Sequence, residues 1–163
     1  RVETRTLIWE QSWVFMCPAR PQGVAWSQLP LDYLSVSAPV DWFMREILGL
    51  SPLGILPPSI RPFFFSATAK NSKRIRVAWM PRKNKALAGQ IQGIATACLE
   101  KDKPLPGFEF VEIHDKSLEE VAVLLQSCHI FLSTGFPEGF SLPPLEAMAC
   151  GCVPVGFSGI GGF

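Results

Sequence analysis

Between residues 75 and 156, short apolar runs alternate with longer stretches of helical spacing. That alternation predicts an α/β fold built on a parallel, doubly wound sheet. A second sign is a glycine-bearing loop with a short helix, set between two of the apolar runs, because open α/β sheets bind ligands at such loops. Composition is the third: 163 residues, a formal charge of +1 and 48% hydrophobic residues describe a globular chain of one to two domains.

The first third is rich in proline and tryptophan. Residues 6–9 and 13–16 read as strands, and 33–37 as another. Pro39 then opens a helix over 40–50 with apolar residues at helical spacing, and 54–60 reads as a strand running into a loop. Residues 63–73, ending in Lys70-Asn71-Ser72-Lys73, read as a linker. Beyond it the pattern is regular: a strand over 76–80, a helix over 86–99 and a strand over 108–113. Ser117 with Glu120 three residues on forms a capping box that opens a helix to about Ser127. Residues 130–133 are the next strand, and Cys152-Val153-Pro154-Val155 leads into the last.

The segment from Ser133 to Gly151 holds the richest chemistry. Pro143 and Pro144 suit a helix start, where first-turn N–H groups lack intrahelical partners, and Ser141 is a candidate N-cap. Gly151 is expected just past the helix end. The backbone N–H groups of Gly139, Phe140 and Ser141 stand at the helix start, where the macrodipole attracts anions such as a diphosphate. Glu146 on the helix, acceptor-only when ionised, suits a pair of vicinal hydroxyls such as those of a ribose. Glu138 in the loop stands eight residues earlier.

Glu138 and Glu146, in this order and setting, resemble the E-x7-E signature of retaining glycosyltransferases of the GT-B fold, family four in particular. The resemblance implies Rossmann-like domains, with residues 1–62 the end of an acceptor-side domain and 74–163 a truncated donor domain. It assigns Glu146 to the ribose and Glu138 to the transferred sugar, and it adds Leu142 to Gly139, Phe140 and Ser141 as donor-binding positions. The family also carries an Arg and, five residues later, a Lys that contact the donor diphosphate. Here Arg82 matches, while position 87 is Leu, so Lys83 and Lys85 compete for the second role. Fixed cations there would stabilise charge developing on the leaving diphosphate, which places Arg82 beside Glu138 in the catalytic set. The residues 57–60, Pro-Pro-Ser-Ile, replace the usual Pro-Asn-Gly. Residues 159–162 read as the glycine-rich loop lining the donor cleft.

By resemblance the reaction moves a hexose from a nucleotide-diphosphate sugar to a glycan or lipid-linked acceptor, with retention, in polysaccharide or cell-envelope glycan assembly. It needs no metal, cofactor or covalent enzyme nucleophile. Two other readings stand beside it: a sugar-nucleotide epimerase of the same superfold, and a nucleotide-binding module that has lost its chemistry. His114 and His129 lack ligand spacing and are assigned no metal, although His114-Asp115 opens a loop on the ligand face. The chain starts at Arg1 and is expected to be a fragment, since two such domains need about twice this length. Near-neutral charge leaves no electrostatic footprint for nucleic acid. No apolar run is long enough to span a bilayer; a cytoplasmic location is expected from the cysteines, with peripheral association of the whole protein at the inner membrane face allowed. Cys17, Cys98, Cys128, Cys150 and Cys152 are odd in number, without Cys-x-x-Cys spacing, and are expected to be buried reduced thiols.

Overall fold

The computed structural model describes residues 5–20, 22–66, 69–101 and 107–160, and it packs them as two units. The first comprises the described residues up to Ser59, with Pro137–Ser141 and residues 159–160; the second is Ile60–Phe136 with Leu142–Ser158.

In the first unit, β1 (Thr6–Glu10) and β2 (Leu31–Ser35) pair in parallel, Ile8 opposite Tyr33. Residues 13–16, read as a strand, instead form the first half of helix α1 (Trp13–Ala19). Glu10 Oε1 accepts from Ser12 N (2.9 Å) and turns the chain at the strand end, and only Met16 of the apolar run is buried. An apolar run of that length fits either structure, and the turn decides. Helix α2 (Ala38–Trp42) carries Pro39 in its first turn and continues as a π-helical turn over Phe43–Ile47. It stops short of the expected Leu50 because Gly49 takes a left-handed φ of 64°. The strand expected over 54–60 reduces to one parallel bridge, Ile55 with Ser35. Pro57 and Pro58 have no N–H to extend that ladder. Met16, Tyr33, Val36, Val40, Met44 and Leu50 make this unit's core.

The second unit is a four-stranded parallel sheet in the order β4-β3-β5-β6: Phe108–Glu112, Ile75–Trp79, Ile130–Ser133 and Val153–Gly156. Its alternating side chains divide between two clusters, one on each face. Val77, Trp79 and Leu132 join Ala88 and Ile91 of α3 (Lys85–Lys101). Ala78, Met80 and Phe131 join Val121, Ala122 and Leu125 of α4 (Leu118–Gln126) and Ala147 of α5 (Leu142–Ala149). Covered on both faces, the sheet is doubly wound as expected. The local signals act as anticipated: Ser117 Oγ accepts from Glu120 N while Glu120 accepts from Ser117 N, at 3.2 and 2.8 Å. At the end of α5, Gly151 (φ 75°) bonds Met148 O and Cys152 N bonds Ala147 O, a Schellman closure.

Residues 63 and 64, read as the start of a linker, lie in a one-turn helix over Pro62–Phe64, and Phe64 is fully buried in the second unit's core. Residues 67 and 68 of that stretch, and 161–163 of the glycine-rich tail, lie outside the described residues. Cys128, Cys150 and Cys152 are buried thiols, whereas Cys17 and Cys98 are exposed, against expectation, on the outer sides of α1 and α3. Among the described residues no helix is long and apolar enough to cross a membrane.

Because Phe64 belongs to a core rather than a tether, Phe64→Ala should destabilise the second unit by ~3–5 kcal/mol. Denaturant unfolding measures this, and a wild-type midpoint would restore the linker reading.

Candidate functional site

A parallel sheet whose middle strand has neighbours on both sides must reverse its winding there. Strand β3 leads through α3 to β4 on one side, and β4 leads through α4 to β5 on the other. The loops leaving the carboxyl ends of β3 and β5 therefore part around a crevice, the usual place for a ligand in such sheets. Thr134, directly after β5, donates through its hydroxyl to the carbonyl of Lys83 and ties these two loops together. Asn84 (φ 69°) then begins α3, its Oδ1 accepting from Leu87 N at 3.3 Å.

A cavity of about 480 Å3 opens on this edge of the second unit. Met80 and Arg82 reach it from the loop after β3, and Ile113 to Lys116 from the loop after β4. Leu118 and Val121 of α4 and Leu142, Pro143 and Glu146 of α5 close it. Its size is in the range of small-molecule sites. The Ser117–Glu120 capping box pins the start of α4, and so the end of the β4–α4 loop, where Asp115 holds a left-handed φ of 48°. At the rim His114 Nε2 lies 2.9 Å from Asp115 Oδ2.

Glu146 shares this cavity with Arg82, Asp115 and Lys116, beside the apolar Met80, Ile113 and Leu142. Burial pushes its carboxyl above the usual carboxylate range, and the nearby Arg82 guanidinium pulls it part of the way back. Arg82 is itself exposed, with Nη2 3.7 Å from Met80 Sδ. The chemical offer is specific: a cation for an anionic group, a carboxylate for hydroxyl donors, and apolar surface for a flat ring.

Of the sequence-predicted residues, Arg82, Leu142 and Glu146 share this cavity. Lys83 and Lys85 do not line it. Glu138, Gly139, Phe140 and Ser141 belong to the first unit. There Phe140 packs on the Met16–Tyr33 cluster, and a Cβ on Gly139 would overlap the carbonyl oxygen of Gln11. Gly159 (φ 90°) presses on the same loop, its own Cβ position lying 3.1 Å from Cβ of Glu138 and 3.3 Å from Cβ of Ser141. Sequence reasoning missed Met80, Ile113, Lys116, Leu118 and Val121. The rule that singled out Arg82, a loop at the carboxyl end of a strand, could have found Ile113 and Lys116.

An open parallel sheet flanked by helices, with a cavity beyond its strand ends, defines a Rossmann-like α/β domain. Residues 110–163 match the family described as glycosyl transferases group 1. An Alpha-1,6-glucosyltransferase of Actinobacillus pleuropneumoniae serotype 7 (strain AP76) is 33% identical over 116 residues, 71% of this chain and 34% of that protein. The chain thus spans about a third of the length of the curated relative it matches. It is similar to the group 1 glycosyltransferases.

The position of Glu146 has a consequence for stability. A carboxyl with a raised folded-state pKa stabilises fully below the unfolded value and loses that contribution as pH rises through the folded one. At neutral pH, Glu146→Gln should therefore melt higher than wild type, and the difference should vanish once the medium is acidic enough to protonate the unfolded carboxyl, below about pH 4. Arg82→Met should raise the Glu146 pKa further. Melting curves across pH and carboxyl NMR titration check both; a Glu146→Gln protein less stable at neutral pH would contradict the burial argument.

Proposed function

We propose that the protein carrying this chain transfers a hexose from a nucleotide-diphosphate sugar to an acceptor hydroxyl, with retention of configuration. One observation carries the reading: Arg82 and Glu146 meet in an apolar-lined cavity beyond the carboxyl ends of β3 and β4. A nucleoside diphosphate needs those three environments together. Its base takes the apolar wall, its ribose hydroxyls donate to Glu146, and its phosphates face Arg82. The amides of Gly139, Phe140, Ser141 and Leu142 at the start of α5 are assigned to the diphosphate, with Lys83 or Lys85 as a second cation. Glu138 is assigned to the transferred sugar.

In this reading residues 74–163 bind the donor, and residues 1–62 belong to the acceptor side. Catalysis rests on charge: as the glycosidic bond to the diphosphate breaks, negative charge grows on the leaving oxygen, and a fixed guanidinium lowers that barrier. The departing phosphate takes the acceptor's proton, so the scheme uses no metal and no covalent enzyme intermediate. Glucose is the first sugar to test, because the relative is named a glucosyltransferase. A glycan or lipid-linked acceptor, at the cytoplasmic face of a membrane, completes the proposal.

The primary test is release of free nucleoside diphosphate by the full-length protein from UDP, GDP and dTDP sugars in the presence of acceptor extract. Silence across that panel would overturn transfer, and an isomeric sugar nucleotide formed without acceptor would point to epimerisation. The two carboxylates should separate by ligand. Loss of a charge-assisted hydrogen bond is worth ~1.5–3 kcal/mol, so Glu146→Gln should weaken nucleoside diphosphate binding roughly ten- to a hundredfold. Glu138→Gln should leave that binding intact and lower turnover. Calorimetry with the nucleotide alone distinguishes them; equal effects of both substitutions would refute the division.

A further inference from the structure

Ser37 stands between β2 and α2, at the N-cap position of the helix, yet its side chain makes no cap hydrogen bond. Its hydroxyl instead donates to the carbonyl of Gly139 at 2.6 Å, between two residues that are both buried. Gly139 immediately follows Glu138, and its other side lies against Gln11 and Ser12, so closely that no side chain fits. The peptide after Glu138 is thus gripped by Ser37 on one side and the β1–α1 turn on the other. Among the described side chains, Ser37 supplies the hydrogen bond in that grip. A buried carbonyl left without a donor is costly, and the loop would shift to find one.

We propose that Ser37 is a positioning residue for Glu138. This rests on the assignment of Glu138 to the transferred sugar. The N-terminal segment, through one hydroxyl, sets where that carboxylate stands, while Glu146, assigned to the ribose, belongs to the second unit. Ser37 touches no substrate. Its effect falls on turnover rather than on affinity for the nucleoside, because a small misplacement of a group acting at the reacting centre is expensive.

The test is a double-mutant cycle in the full-length protein, with Ser37→Ala, Glu138→Gln and the double variant, and with Ser37→Thr to restore the hydroxyl. Ser37→Ala should lower kcat by roughly tenfold, with affinity for the nucleoside alone, assigned to Glu146 and the apolar wall, unchanged in calorimetry. Ser37→Thr should recover most of it. In the Glu138→Gln background, Ser37→Ala should cost nothing further, since the group it positions is already gone. Wild-type turnover in Glu138→Gln overturns the sugar assignment, and Ser37's role with it. An unchanged kcat in Ser37→Ala, or a loss that persists undiminished beside Glu138→Gln, overturns the role of Ser37 alone. If Ser37→Ala fails to fold, Ser37→Cys, of similar shape but a weaker donor, takes its place in the cycle.

Discussion

Strand β3 is hydrogen-bonded along both edges, and most of the second unit follows from that. A parallel strand can be reached only by a crossover, and crossovers are right-handed. Leaving β3 in one direction and returning past it in the other therefore puts α3 on one face and α4 on the opposite face. Both faces of β3 must then be apolar, which is why Val77, Ala78, Trp79 and Met80 are consecutive buried residues. It is also why, after Arg76 at the strand start, the next polar side chain is Arg82, beyond the strand end. The chemistry of the cavity lies at the edge of the core, beyond the strand ends.

Within that opening, Glu146 runs against stability. A carboxylate against Met80, Ile113, Leu142 and Pro143 loses hydration, and one partly exposed guanidinium returns only part of it. A purely structural role would favour Gln or an apolar residue on this face of α5. Glu146 is half-buried, and burial holds its pKa up. A ligand bringing hydroxyl donors would reverse the penalty, since each donor stabilises the ionised form.

The parts of the fold that could be read from the chain are those under local control. The Ser117–Glu120 box, the Pro143–Pro144 helix start and the Gly151 closure are each set by residues within one or two turns. So are the alternating runs of the four-stranded sheet. What could not be read depended on distant partners. The run 13–16 has no period of its own, and its helix follows from the turn made by Glu10 and Ser12. Residue 55 meets β2, but two prolines end the pairing, a rule that could have been applied in advance. Phe64 looks like part of a linker until the core that buries it is known. At the site, strand-end logic pointed to Arg82 and the spacing of the helix to Glu146, which line one cavity, whereas the choice between Lys83 and Lys85 turned on a spacing that this chain does not keep.

The eight-residue interval between Glu138 and Glu146 conceals a division that no linear motif expresses. Glu146 rides on a helix whose underside, at Ala147 and Cys150, is packed into the core of the second unit. Glu138 sits in a segment whose Phe140 is packed with Met16 and Tyr33 of the first unit. Each carboxylate is thus carried by a segment packed on a different core. A packing defect in the first unit should disturb the group assigned to the sugar, and one in the second the group assigned to the ribose. The requirement for glycine at 139 follows from the same division. A side chain there would lift the loop off Gln11 and Ser12, separating Glu138 from the core that places it while leaving Glu146 on its helix.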